Sequence, residues 1–441
     1  MMTFLEGLIL LLAVINLLLA RFALLPLRQP TTIYIWVVKV AVCGLSPILF
    51  LCGALFAITG GMFDSPLIVV AGSSGSLLYA MHMWRVIRKT SSGKDFETAF
   101  GKQWKERIPA NLQSAVLARP YEFVLPKPPE ANLTKDVCFY TIPENDRHLL
   151  CDIWEPPAGI TRSGLAFIYL HGSAWAVLDK DYGTRTFFRH LAAQGHVVMD
   201  VAYRLFPETD FMGMLHDTKH AIAWLKTQAA VYGVHPDRIV AGGGSAGAHL
   251  ALLAGYTVNN GLLTPSDLHQ TDLSVRGIVS LYGQSDLTAT YYHTCQDKVK
   301  HSALAKKKKT TGAPPSWFEK KMGAAFHRLG FDKDVEPGML EPMLGGSPQQ
   351  KPEAYALYSP VTYVHKDCPA TLILHGEHDI LAPTDAMVEL EAKLRGAGVP
   401  VVMHTFPQTD HAFDLIFPAI SPSAHGAYYM VDRFLGLMCS A

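Results

Sequence analysis

The sequence predicts a doubly wound, mostly parallel eight-stranded α/β sheet with a cap insertion, preceded by a transmembrane helical segment. Three observations carry that expectation. Apolar runs near the N-terminus are long enough for a bilayer, strand-like runs alternate with helical stretches after residue 135, and one long interval between Gln284 and Ala370 breaks the alternation.

The 441 residues exceed one ordinary domain, and 49% of them are hydrophobic against 17% charged, so an apolar segment beyond a soluble domain is expected. Lys+Arg and Asp+Glu balance at 38 each, which gives no reason to expect a nucleic-acid partner. The seven cysteines are scattered without a CxxC pair, against both a zinc cage and a disulfide framework. Free thiols are expected, with Cys43 and Cys52 facing lipid or neighbouring helices.

Residues 1–89 read as a membrane anchor with about three spans, Phe4 to Leu25, Val40 to Thr59 and Leu67 to Ile87. The third is the least apolar, because Ala71 to Ser76 reads AGSSGS, which suits helix-to-helix contact as well as a loop. A cleaved signal peptide would carry a basic residue early, yet none precedes Arg21. Arg21, Arg28 and Lys39 lie between spans one and two, and Arg85, Arg88 and Lys89 follow span three. The bias places the N-terminus away from the cytoplasm and everything after Lys89 within it.

Residues 90–134 form a connector. Phe96, Phe100, Trp104 and Ile108 recur every four residues and predict an amphipathic helix, either packed on the globular part or lying at the bilayer surface. A proline-rich linker, VLPKPPE, follows. From 135 to 441, DVCFYTI and HLLCDIW predict an antiparallel hairpin. LAFIYLHG, HVVMDVAYRL, RIVAGGGS, RGIVSLYG, TLILHG and VVMHTF predict six further strands, several apolar throughout, as parallel strands buried on both faces are. Helices are expected at about 184–194, 213–232, 246–256 and 384–397. The interval of about 284–370, with its Lys306 to Lys309 run, reads as a cap.

In AGGGSAGAHLALLAG, Ser245 sits between glycines where a strand turns into a helix. A phosphate-binding loop would need a Lys-Ser/Thr pair, and a dinucleotide fingerprint belongs at the first strand; neither is met. Gly243-Gly244-Ser245-Ala246-Gly247 instead has the G-x-S-x-G form of a nucleophile elbow. A serine hydroxyl needs a histidine to take its proton and a carboxylate to hold that histidine, in the chain order serine, acid, histidine. Asp379 follows one strand and His411 the next; Glu377 and Asp385 are the rival acids, while His375 and His404 lie within strands and read as structural. His378 is expected to be exposed. An oxyanion needs backbone N–H donors, for which Gly172 and Ser173 in YLHGSAW and Ala246 after the serine are the candidates.

Together these segments resemble the α/β-hydrolase superfamily, and within it the hormone-sensitive-lipase-like carboxylesterases, from about Lys135 to the C-terminus. YRLFPE (203–208), HPDRIVAGGGSAGAHLALL and YSPVTYVHKDCPATLILHGEHDILAP carry the resemblance. The chain departs from that pattern at three positions: the oxyanion loop reads His171-Gly172-Ser173-Ala174-Trp175, Gly244 replaces the acid before the serine, and Ala202 replaces the aspartate before YRL. The layout is also similar in arrangement to isoprenylcysteine methylesterases. The resemblance implies a serine hydrolase acting on a lipophilic small-molecule or lipid ester, without metal or organic cofactor and with the bilayer as partner. Amidase, lactonase or deacetylase activity uses the same three residues, and a ligand-binding protein on this fold, like the plant gibberellin receptors, is the non-enzymatic alternative. Charge bias supplies its own check: Asn132-Leu133-Thr134 is a glycosylation sequon, and a cytoplasmic globular part predicts no glycosidase-sensitive mobility shift at Asn132 when the chain is expressed in eukaryotic cells.

Overall fold

The computed structural model describes residues 2–27, 35–295 and 340–440. The lysine run at 306–309 and much of the expected cap lie outside the described residues. Eight strands form one sheet: β1 (Asn132–Ile142), β2 (Arg147–Glu155), β3 (Ala166–Leu170), β4 (Val197–Val201), β5 (Ile239–Gly244), β6 (Gly277–Leu281), β7 (Ala370–Gly376) and β8 (Val401–Phe406). Their spatial order is β1-β2-β4-β3-β5-β6-β7-β8. The first two pairings are antiparallel and the remaining five parallel. Every residue of β3, β4, β5 and β6 is buried, as expected for strands covered on both faces.

The helices, in chain order, are α1 (Phe4–Leu24), α2 (Trp36–Gly44), α3 (Ser46–Met62), α4 (Pro66–Ser91), α5 (Lys94–Phe100), α6 (Ala110–Gln113), α7 (Arg185–Ala193), α8 (Phe211–Gln228), α9 (Ala246–Tyr256), α10 (Leu287–Cys295), α11 (Leu340–Leu344), α12 (Pro352–Leu357), α13 (Thr384–Gly396) and α14 (Pro422–Met438). Among the described residues, α1 and the helix beginning at Pro66 are long and apolar enough to cross a bilayer, and α2 with α3 makes a third span only as a pair bent by 71°. The AGSSGS stretch is neither loop nor interruption. It lies inside α4, where Ala71, Gly72, Gly75 and Ser76 are buried and Ser76 Oγ donates to the Phe50 carbonyl at 2.8 Å, the close helix contact that small residues permit.

Two expectations are corrected. The four-residue periodicity from Phe96 does not make one helix: α5 stops at Gly101, whose φ of 86° suits glycine, and a short 3-10 turn, Trp104–Arg107, follows. Phe96, Trp104, Ile108 and Leu112 nevertheless all bury into the core that α14 shares with one face of the sheet. The second correction concerns Lys39, counted above as a charge between spans; it is wholly buried and paired to Asp410 at 3.2 Å. Helix α14 itself had no counterpart among the expected elements. Cys43, Cys52, Cys138, Cys151, Cys368 and Cys439 are free thiols, with Cys43 buried and Cys52 half-buried.

One buried carboxylate fastens the connector to α14. Asp432 is 0% exposed and accepts from His190 Nε2 and Gln194 Nε2, each at 2.8 Å, and from the Leu117 amide at 2.9 Å. Burial pushes its carboxyl up, but the charge and hydrogen bonds of these partners prevail and hold it below the usual carboxylate range. It therefore binds a proton less readily folded than unfolded. The stability this gives is present above about pH 4 and is lost as pH falls through the folded value.

At the turn from β5 to α9 the constraint is steric. A methyl group on Gly243 or Gly247 would overlap the Leu170 carbonyl oxygen at the end of β3. Gly247→Ala is expected to lose about 1–3 kcal/mol through overpacking, read as a lower melting temperature. Asp432→Asn is expected to flatten part of the fall in melting temperature between about pH 4 and pH 2; an unchanged acid limb in the variant would contradict the assignment.

Candidate active site

Ser245 stands at the sharp turn between β5 and α9 with φ 52° and ψ −120°, a conformation uncommon for a residue with a side chain. The turn is held because the Ser245 amide donates to the Leu281 carbonyl at 2.9 Å while the glycines let α9 close on β3. Its hydroxyl projects at the carboxyl edge of the parallel strands, where loops after β3, β6, β7 and β8 converge.

The residues named from chain order meet there. His411 Nε2 lies 2.9 Å from Ser245 Oγ, and His411 Nδ1 lies 2.9 and 3.0 Å from the two carboxylate oxygens of Asp379. Asp379 also accepts from the amides of Leu381 at 2.9 Å and Ala382 at 2.7 Å. Burial alone would raise the Asp379 carboxyl, but His411, His375 and the Ala382 amide outweigh it, so the group is held below its ordinary value and stays ionised. An ionised carboxylate on one imidazole nitrogen and a hydroxyl on the other is an arrangement able to carry a proton from the hydroxyl oxygen to the ring.

The rivals stand apart from the hydroxyl. Glu377 turns to the Gln408 amide at 2.6 Å. His404 bonds Thr90 and Asp95 of the N-terminal helices. His375 is buried beside Asp379, its Nε2 3.1 Å from the Ala382 carbonyl and 3.6 Å from Asp379 Oδ2, and burial depresses its basicity. His378, expected to be exposed, is mostly covered, with its Nδ1 3.2 Å from Lys39 Nζ. Burial, with Lys39 adding to it, brings that imidazole down to about 4.

Opposite His411, the His171 loop lies against the elbow: a Cβ on Gly172 would meet the Gly244 carbonyl oxygen at 3.2 Å and Ser245 Cβ at 3.5 Å. The amides of Gly172, Ser173 and Ala246 donate to no acceptor among the described residues. Ser173 is oriented by its own hydroxyl, which lies 2.6 Å from Tyr203 OH and accepts from the Trp175 amide at 2.9 Å; Tyr203 OH in turn donates to the His171 carbonyl at 2.8 Å. Tyr203 belongs to the YRL segment, so that segment braces the loop. His249 does the same from α9, accepting from Trp175 Nε1 at 3.2 Å while its other ring nitrogen lies 2.7 Å from the Tyr358 carbonyl.

Several residues at the site carried no sequence signal. Gln284, just after β6, places Nε2 3.5 Å from Ser245 Oγ and leaves its buried Oε1 without a partner among the described residues. Tyr282 stacks edgewise on His411 at 4.7 Å and donates to Asp414 Oδ1 at 2.6 Å. Burial pushes the Asp414 carboxyl up to about 6. Trp36 from α2 also meets the imidazole edge-on, at 6.0 Å and 83°. Only the G-x-S-x-G form and chain order are local; these contacts join residues far apart in sequence.

The chain matches the BD-FAE family over residues 151–325 and 326–394, more than half its length. It is similar to the probable carboxylic ester hydrolase LipM of Mycobacterium tuberculosis, 30% identical over 287 residues that make up 64% of this chain and 57% of that protein. Esterase LipQ of the same organism is 28% identical over 346 residues, 77% of this chain and 72% of LipQ. The chain thus spans little more than half of one relative and about seven-tenths of the other. A truncated carbohydrate esterase from gut microbiota has a similar fold, with a TM-score of 0.50 at 22% identity, covering 72% of this chain and 99% of that one. Sheet order, the strained serine turn and the family match agree: the chain belongs to the BD-FAE family and has the α/β-hydrolase fold.

Proposed function

We propose that the chain is a membrane-anchored serine hydrolase that cleaves the carboxylic ester of a lipophilic small molecule or lipid, with its hydrolase part on the cytoplasmic side. The observation that carries the reading is the continuous chain from Ser245 Oγ through His411 to Asp379, each link at 2.9 Å. Relatives whose names are ester hydrolase and esterase support the bond cleaved. The apolar N-terminal helices support the anchor and a lipophilic substrate.

In this reading Ser245 Oγ attacks the ester carbonyl carbon as its proton passes to His411 Nε2. Asp379 holds the imidazole through Nδ1 and stabilises the cation that forms. The carbonyl oxygen becomes an oxyanion that accepts from the amides of Gly172, Ser173 and Ala246; losing one such donor typically costs about 3 kcal/mol of transition-state stabilisation. The C–O bond to the alcohol breaks, and His411 returns the proton to the departing oxygen. Water then attacks the acyl-serine with His411 as base, releasing the carboxylic acid and restoring the hydroxyl.

A fluorophosphonate probe is expected to label the full chain, and Ser245→Ala to abolish both labelling and hydrolysis of p-nitrophenyl esters. Asp379→Asn is expected to lower kcat by about ten-thousandfold, because the amide favours the wrong imidazole tautomer. Folded protein that neither labels nor hydrolyses would favour a binder, and a preference for acetyl over decanoyl esters would count against a lipid substrate.

A further inference from the structure

Helix α2 does not continue α3 as a straight span. Bent from it by 71°, it lies against the loop that follows β8, so closely that a Cβ on Gly44 would meet the Ile416 carbonyl oxygen at 3.1 Å. Trp36, Val40 and Ile380 form one buried apolar group there, with Ala412 and Leu381 against it. This part of the anchor therefore packs on the residues next to both Asp379 and His411.

At its centre, Lys39 and Asp410 have side chains with no exposure, Lys39 Nζ lying 3.2 Å from Asp410 Oδ2 and 3.2 Å from His378 Nδ1. The other oxygen of Asp410 accepts two backbone amides, from His411 at 2.9 Å and from Ile380 at 3.0 Å. One carboxylate thus staples the loop carrying His411 to the loop carrying Asp379, and Lys39 fixes that carboxylate. Burial pushes the Asp410 carboxyl above its ordinary value, and Lys39 and the two amides limit that rise. A buried ion pair is weak as a stabilising device, since apolar residues of similar volume commonly do as well. Its distinctive effect is to define geometry, and displacement of a reacting group by about 1 Å can cost about a hundredfold in rate.

We infer that Lys39 is a positioning residue for His411 and Asp379, acting through Asp410, and that the anchor thereby completes the hydrolase site as well as tethering it. The inference rests on the proposed ester hydrolysis. It makes α2 a brace of the imidazole, with Trp36 and Tyr282 both in edge contact with the His411 ring.

The test uses the full chain in detergent micelles, with p-nitrophenyl butyrate as substrate and rates expressed per serine titratable to completion by a fluorophosphonate, so that loss of folded protein cancels. Lys39→Met and Asp410→Asn are each expected to lower kcat about tenfold or more with KM within about twofold of the parent. The double variant is expected to be no slower than the slower single, the signature of two residues acting through one contact. Lys39→Met within twofold of the parent, or losses that multiply in the double variant, would overturn the inference. If Lys39→Met yields no folded protein, the same criterion is applied to Asp410→Asn, which keeps Oδ1 as acceptor for both amides. A parent chain that neither labels nor turns over removes the esterase reading and this inference together, whereas an active parent matched by its variants removes this inference alone.

Discussion

The arrangement depends first on how closely α9 approaches β3. With Gly243 and Gly247 against the Leu170 carbonyl, the chain reverses from strand to helix in a few residues, and Ser245 takes a backbone conformation that holds its hydroxyl at the sheet edge. Strain of this kind, of order 1–3 kcal/mol, persists only where surrounding packing determines it. Here the sheet supplies that packing, for β5 lies between β3 and β6 with every residue buried.

Around that serine the polar groups form layers. Asp379 is ionised although buried, because a histidine and two amides face it. His171, His249 and His375 are buried and depressed in basicity, the first two to about 4, so they remain neutral near pH 7 and brace loops without adding charge beside His411. Asp414, pushed by burial up to about 6 and accepting from Tyr282, is still mostly ionised near pH 7. Asp379, Asp414 and the Lys39–Asp410 pair are the charged groups placed near the imidazole by the described contacts.

The N-terminal helices are not appended to the sheet by a free tether. Thr90 and Asp95 reach His404 on β8, His82 lies 3.4 Å from Gln408, and Lys39 reaches Asp410, so three successive N-terminal stretches meet β8 and the loop after it. Asp432 adds a further fastening between the connector and α14. The N-terminal helices and the sheet therefore share apolar clusters with the loops bearing the reactive groups.

Local patterns were enough to predict the sheet, its eight strands and the elbow, because strand burial, helix periodicity and glycine placement act over a few residues. Chain order was enough to nominate Ser245, Asp379 and His411 as candidates, and their side chains meet because the order of strands in this fold puts the ends of β5, β7 and β8 along one edge. Sequence was also enough to see apolar helices ahead of the sheet, but it misread Lys39 as a loop charge and His378 as exposed, because a lone lysine in an apolar stretch looks the same with or without a distant carboxylate. The pairing of Lys39 with Asp410, the Trp36 contact to His411 and the approach of Gln284 to Ser245 were decided by tertiary structure alone. Each joins segments whose separation along the chain carries no periodic signal, and only packing of the N-terminal helices and strand-end loops onto one sheet edge brings them within reach.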